Sequence, residues 1–236
     1  ASLGDWIGFL AIIALTADIM GPTRAAAFAV SGVMAARVVP SLLLAPVAGV
    51  FVDRWDRKRV LIVTHVGRGL IMALIPFTQE LLTLILATLF IEILSSLFAP
   101  AKDAVFPTLV RRDQLLVANQ VNLVLTYGML PVAGVLYAVL VEVTQALAPV
   151  GSVIADRPIA VAIWFNALTF VIAAAAIRTI TIRRAPAPQG RGPERISAQF
   201  TEGIRFVAGH PIIRVFILGV MLVAVTAGVV ITTGEF

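Results

Sequence analysis

The chain is written mostly as long apolar runs. Seven stretches have the length and composition to cross a bilayer: Leu3–Met20, Ala25–Val52, Val60–Phe77, Leu81–Pro100, Asn119–Leu147, Ile159–Ile177 and Ile212–Thr232. A spanning helix needs about 20 mostly apolar residues, because the hydrocarbon layer is about 30 Å thick. In lipid every backbone N–H and C=O must find a partner inside the protein, so runs of this kind are α-helices. The alternating pattern of a membrane barrel is absent from them. The second and fifth runs exceed one crossing and are expected to tilt or to pass the interface. Pro40, Pro46 and Pro131 are expected to bend the helices that contain them.

Composition excludes several function classes. Hydrophobic residues make up 60% and charged residues 13% of the 236 positions, with a mean hydropathy of +1.01. A soluble domain carries about 25% charged residues, so this surface is built for lipid. There is no cysteine, which removes disulfides, thiolate metal sites and thiol nucleophiles. His65 and His210 stand too far apart to suggest a metal site. No Gly-x-x-x-x-Gly-Lys-Ser/Thr occurs, so ATP is not the expected driver. No His-Glu-x-x-His and no usable Ser–His spacing occurs, so an intramembrane enzyme has no support. No cofactor or metal is expected. The basic pI of about 10.7 does not point to nucleic acid, because the cations sit in short loops beside apolar runs.

Those loops are unequal. Asp53–Arg59, Lys102–Asp113 and Arg178–Arg195 are basic, whereas Gly21–Arg24, Thr78–Glu80 and Ala148–Pro158 are short or nearly neutral. Alternating crossings place the basic loops together on one side, with only Arg24 and Arg157 on the other. Positive loops face the cytoplasm, so the first helix is expected to start inside. The composition changes over 179–196, which is rich in Pro, Gly and Arg and is expected to be a cytoplasmic linker. The stretch 197–208 places Phe200, Ile204 and Val207 on one helical face, as in an interfacial amphipathic helix. The expected organisation is therefore a six-helix part over 1–178, the linker, the amphipathic helix, and a seventh span over 209–236.

Between the second and third runs the sequence reads Gly49-Val-Phe-Val-Asp53-Arg54-Trp-Asp56-Arg57-Lys58. This pattern resembles the loop signature of the major facilitator superfamily, Gly-x-x-x-Asp-Arg-x-x-Arg-Arg/Lys. The segments Ala36–Gly49 and Ala99–Pro107 look like the exporter branch that includes enterobactin-exporter-like and lysophospholipid-carrier-like proteins. The resemblance implies an all-α transmembrane bundle, with six helices in inverted three-helix repeats and a seventh helix opening a second half. It further implies a secondary carrier working by alternating access, and a missing C-terminal half as partner. Many family members carry an arginine in the fourth helix, where this chain has Glu92. The fifth-helix antiporter motif survives only as Gly128-Met-Leu-Pro131-Val-Ala-Gly134.

In such a carrier Gly49, Asp53, Arg54, Arg57 and Lys58 form the conformational-switch loop. Asp53 would contact a helix N-terminus of the other half, Gly49 would permit close packing, and the cations would pair across halves or bind anionic lipid. Glu92 lies mid-span, where an acid is costly and marks function by default; it is the first candidate for proton coupling. Asp5 is the second, expected at the cytoplasmic mouth of a cavity. Arg37 and Arg68, also at mid-depth, are expected to be structural charges; a structural pair of one of them with Glu92 is the alternative to proton coupling. Trp6 and Trp164 are expected to be packing or interface aromatics. The expected function is proton-coupled export of a small amphipathic molecule across a bacterial plasma membrane. The alternative is a truncated anchoring or interaction module that transports nothing.

The topology is testable, because the chain has no cysteine of its own. Single cysteines at Ser152 and Gln189 should label from opposite sides of the membrane, Gln189 from the cytoplasm. Labelling of both from one side rules the arrangement out.

Overall fold

A computed structural model describes residues 2–22, 24–147 and 157–181, together with 205, 209–215, 219 and 222. The chain divides into two units, Ala1–Arg184 and Ala185–Phe236. In the second, 211–215 are helical. The expected linker and amphipathic helix, and most of the seventh span, lie outside the described residues.

The first unit is all helix among its described residues. Its elements are α1 (Ser2–Met20), α2 (Arg24–Arg54), α3 (Arg57–Leu74), α4 (Leu81–Leu109), α5 (Leu115–Tyr127), α6 (Met129–Leu147) and α7 (Pro158–Thr179), with 3-10 turns at Ile75–Phe77 and Arg112–Gln114. Five described segments are long and apolar enough to cross a membrane, with Arg112–Leu147 counted as one of them. The 31-residue α2 contains the apolar helix Ala25–Ser41.

The fifth run is interrupted where Pro131 was expected to bend it: α5 and α6 are separated by Gly128 alone and count together as one crossing. Pro131 has no N–H to give the Tyr127 carbonyl, and α5 closes on a bond from Gly128 N to the Val124 carbonyl (2.8 Å). The loop expected after Pro100 is helix as far as Leu109, with Pro100 and Pro107 inside it. Burial of Ala101 and Val105 against Val52, Val60 and Leu61 holds those extra turns. Finally, α2 continues through Pro40 and Pro46 without a break.

The packing is inverted relative to a soluble domain. On α3, Val63, Val66, Leu70 and Leu74 form an exposed stripe, while Leu61, Thr64, His65, Arg68 and Met72 are buried. Leu70 is 63% exposed and Arg68, two residues earlier, only 3%. That ordering makes sense only where the solvent is hydrocarbon. The core is shared by Ile7, Ile12, Val33, Met72, Leu84 and Ile163 from five helices, and by Phe170. Helix α2 packs on α4, α3 on α4 and α7, and α1 on α2, α6 and α7.

Helix α1 approaches α7 through two glycines. A Cβ at Gly4 would fall inside the contact distance of Thr169 and Asn166. One at Gly8 would collide with Asn166 and Met72. The spacing Gly4-x-x-x-Gly8 is that of close membrane-helix crossings. Both indole N–H groups expected to serve packing also tie helices together: Trp6 donates to the Thr126 carbonyl (2.6 Å) and Trp164 to the Ala73 carbonyl (3.2 Å).

Gly8→Val should therefore destabilise the bundle by about 1–3 kcal/mol, the usual cost of overpacking. Gly134→Ala, where a Cβ meets nothing within 4 Å, should be neutral or slightly stabilising. Thermal unfolding in detergent separates the two; equal melting temperatures would remove the glycine contact from the account.

Candidate functional site

Arg68 is the centre of a polar cluster drawn from four helices. It lies eleven residues into α3, about 16 Å along the axis at 1.5 Å per residue, or half the hydrocarbon thickness. Its Nη1 is 3.8 Å from the Asp5 carboxylate of α1 and donates to Ser95 Oγ of α4 at 3.3 Å. Its Nη2 lies 2.9 Å from His65 Nδ1. The guanidinium stacks over Phe98 of α4 and Phe170 of α7, each ring centroid 4.6 Å away. A guanidinium only donates, so His65 Nδ1 must accept. His65 is therefore the neutral tautomer with its proton on Nε2.

Asp5, expected at a cavity mouth, is brought to Arg68 from the first turn of α1, the helix that the glycine contact seats against α7. Asp5 keeps 37% of its side chain exposed, so one side of the pair remains open.

Glu92 sits eleven residues into α4. Its Oε1 accepts the Ser41 hydroxyl of α2 at 2.7 Å. No ion pair within 4 Å joins it to Arg37 or Arg68 among the described residues. The contact Glu92 makes within hydrogen-bond distance is thus a neutral one between helices. Arg37 stacks on Phe9 of α1, 4.8 Å from the ring centroid. The charges of Asp5, Arg37, Arg68 and Glu92 nevertheless lie close enough to act on one another.

The loop residues occupy a separate site at the end of the bundle where α2 meets α3. Asp56 caps α3, accepting from Arg59 N at 2.9 Å. Lys58 donates to the Arg178 and Ile180 carbonyls at the end of α7 (2.8 and 2.7 Å). Arg57 opens α3 and is partly buried. A Cβ added at Gly49 would meet no atom within 4 Å. The side chains of Asp53 and Arg54 lie outside the described ones. Gly128, Pro131 and Gly134 mark the junction of α5 and α6 and contribute no described contact to the charge cluster.

The sequence model of the Major Facilitator Superfamily matches residues 1–235. The chain belongs to the major facilitator superfamily. It is 34% identical over 103 residues to the "Uncharacterized MFS-type transporter YfiS" of Bacillus subtilis, covering 44% of this chain and 24% of the relative. It is 28% identical over 202 residues to the "Putative bacilysin exporter BacE" of Bacillus amyloliquefaciens, covering 83% of this chain and 45% of the relative. An uncharacterised transporter of this type from Mycobacterium tuberculosis is 33% identical over 111 residues, covering 44% of this chain and 24% of the relative. The chain spans less than half the length of these relatives. No solved structure matches it. As a member of the superfamily it is a multi-pass membrane protein of transporter type.

Residues that the sequence alone did not single out include Ser41, His65 as a partner of Arg68, Asp56 and the Gly4–Gly8 pair. The last two had visible signals: an N-cap acid three residues before a helical N–H, and a Gly-x-x-x-Gly in an apolar run.

Removing one member of a fully buried pair costs about 3–5 kcal/mol, and the partly open Asp5 brings the loss here below that. Arg68→Gln alone should still lower the melting temperature. Asp5→Asn together with Arg68→Gln should recover part of the loss. Additive losses in thermal unfolding would mean the two residues do not act as a pair.

Proposed function

We propose that the chain forms part of a proton-coupled exporter of a small amphipathic molecule, working by alternating access between two halves. The observation that carries this is Glu92, an acid at mid-depth held by a neutral donor on a neighbouring helix. Protonating it keeps a hydrogen bond to Ser41 and breaks no ion pair within 4 Å, while it withdraws negative charge from the neighbourhood of Arg37, so the proton is felt by a second charged group. Protonating Asp5 would leave Arg68 without its counter-charge, so Asp5 is the structural member of the two. Ser41 and Glu92 join α2 to α4, so a change of charge at Glu92 acts where two spans meet. The similarity to a protein described as a bacilysin exporter supports the outward direction and a small-molecule substrate. The residues at 36–49 and 99–107 favour the enterobactin-exporter-like and lysophospholipid-carrier-like branch. In this scheme the proton gradient drives transport, the loop at Gly49–Lys58 faces the cytoplasm of a bacterial plasma membrane, and Asp53 and Arg54 engage the other half.

The experiment is Glu92→Gln in the full-length carrier. Gradient-driven efflux should be lost while substrate exchange without a gradient persists. Uphill transport at the normal rate would overturn the assignment.

A further inference from the structure

A second site lies at the lipid-facing side of α3 and α4, away from the charge cluster. The two helices leave a groove of about 480 Å³ between them. Its mouth is formed by Trp55, Asp56 and Arg59, and it continues along Val63 on α3 and Leu94 and Leu97 on α4. Val63 and Trp55 are more than half exposed, so the groove opens to the surroundings of the bundle. In a membrane protein those surroundings are lipid chains beside the apolar part and headgroups beside the mouth. An exposed tryptophan at that boundary fits the interfacial level.

The two charges at the mouth, and Lys58 beside them in sequence, are not equivalent. Lys58 is spent on the carbonyls that end α7. Asp56 is spent on the first turn of α3, whose positive helix end offsets its charge. The Arg59 guanidinium is exposed and has no partner among the described residues. A cation without a partner at the headgroup level, above an apolar groove, matches a phosphate above an acyl chain.

We propose that this groove holds an anionic phospholipid of the phosphatidylglycerol kind. The phosphate lies on Arg59, the headgroup hydroxyls reach the Asp56 carboxylate, and a chain runs along Val63, Leu94 and Leu97. Asp56 favours a headgroup that can donate hydrogen bonds, and Arg59 requires the anion. The site rests on the protein being in a membrane and not on what it carries, so it stands or falls separately from export.

The test is lipid retention by native mass spectrometry, after release from nanodiscs holding equal amounts of phosphatidylglycerol and phosphatidylcholine. The wild type should keep phosphatidylglycerol by about fivefold, the effect of one arginine near an anionic surface. Arg59→Gln should erase that preference. Arg112→Gln, an exposed arginine outside the groove, should keep it. Val63→Trp, which crowds the apolar part with Arg59 intact, should lower retention of both lipids. The proposal fails if the wild type keeps both lipids equally, or if Arg59→Gln retains the preference. It fails also if Arg112→Gln loses as much as Arg59→Gln, which would mean diffuse charge, or if, in a second set of nanodiscs with phosphatidylethanolamine in place of phosphatidylcholine, phosphatidylethanolamine is retained over phosphatidylglycerol.

Discussion

The bundle is organised by the need to satisfy one guanidinium at mid-depth. Arginine stays protonated in proteins, so a fold that buries Arg68 must supply acceptors, counter-charge or polarisable surface. Four helices do so. Helix α1 brings Asp5, α3 its own His65, α4 Ser95 and Phe98, and α7 Phe170. Only Nε is left without a partner. In lipid, apolar contact between helices gives little advantage over contact with acyl chains. A shared polar centre is therefore the stronger reason for α1, α3, α4 and α7 to sit together.

The glycines of α1 make that centre geometrically possible. Asp5 is adjacent to Gly4, and Gly4 and Gly8 lie against Asn166 and Thr169 of α7. With larger residues there, α1 would stand off from α7 and the carboxylate would withdraw from Arg68. Backbone proximity and ion pairing are thus one arrangement seen on two faces of the same helix turn. Asn166 Nδ2 is buried without a hydrogen-bond partner at the same crossing, so close approach is bought there against a polar cost.

The spans were legible because a membrane allows few structures and length alone nearly decides them. Their ends were not. Pro100 and Pro107 read as punctuation, yet burial of Ala101 and Val105 outweighs the lost hydrogen bonds. Of the site, the identity of the unusual residues was legible, since Glu92, Arg37 and Arg68 stand out in apolar runs. Their partners were not. Whether Glu92 meets a cation or Ser41 depends on the relative rotation of α2 and α4, which the sequence does not state locally. The pairing of Asp5 with Arg68 was hidden for a related reason: it depends on how α1 seats against α7, more than 150 residues away.

The charged loop shows why a bias that looks like topology can hold several separate tasks. A rule that counts cations treats Arg57, Lys58 and Arg59 alike. The structure gives each position different neighbours. Lys58 closes the carbonyl end of α7, where a cation is favoured by the helix dipole. Arg59 turns outward beside the groove while its backbone N–H completes the Asp56 cap. The same three-residue step thus fastens α7 to α3, starts α3, and leaves one guanidinium exposed beside the groove. Helices α3 and α7 meet again where Phe170 stacks on Arg68, so the loop contact and the buried charge cluster are built on the same pair of helices.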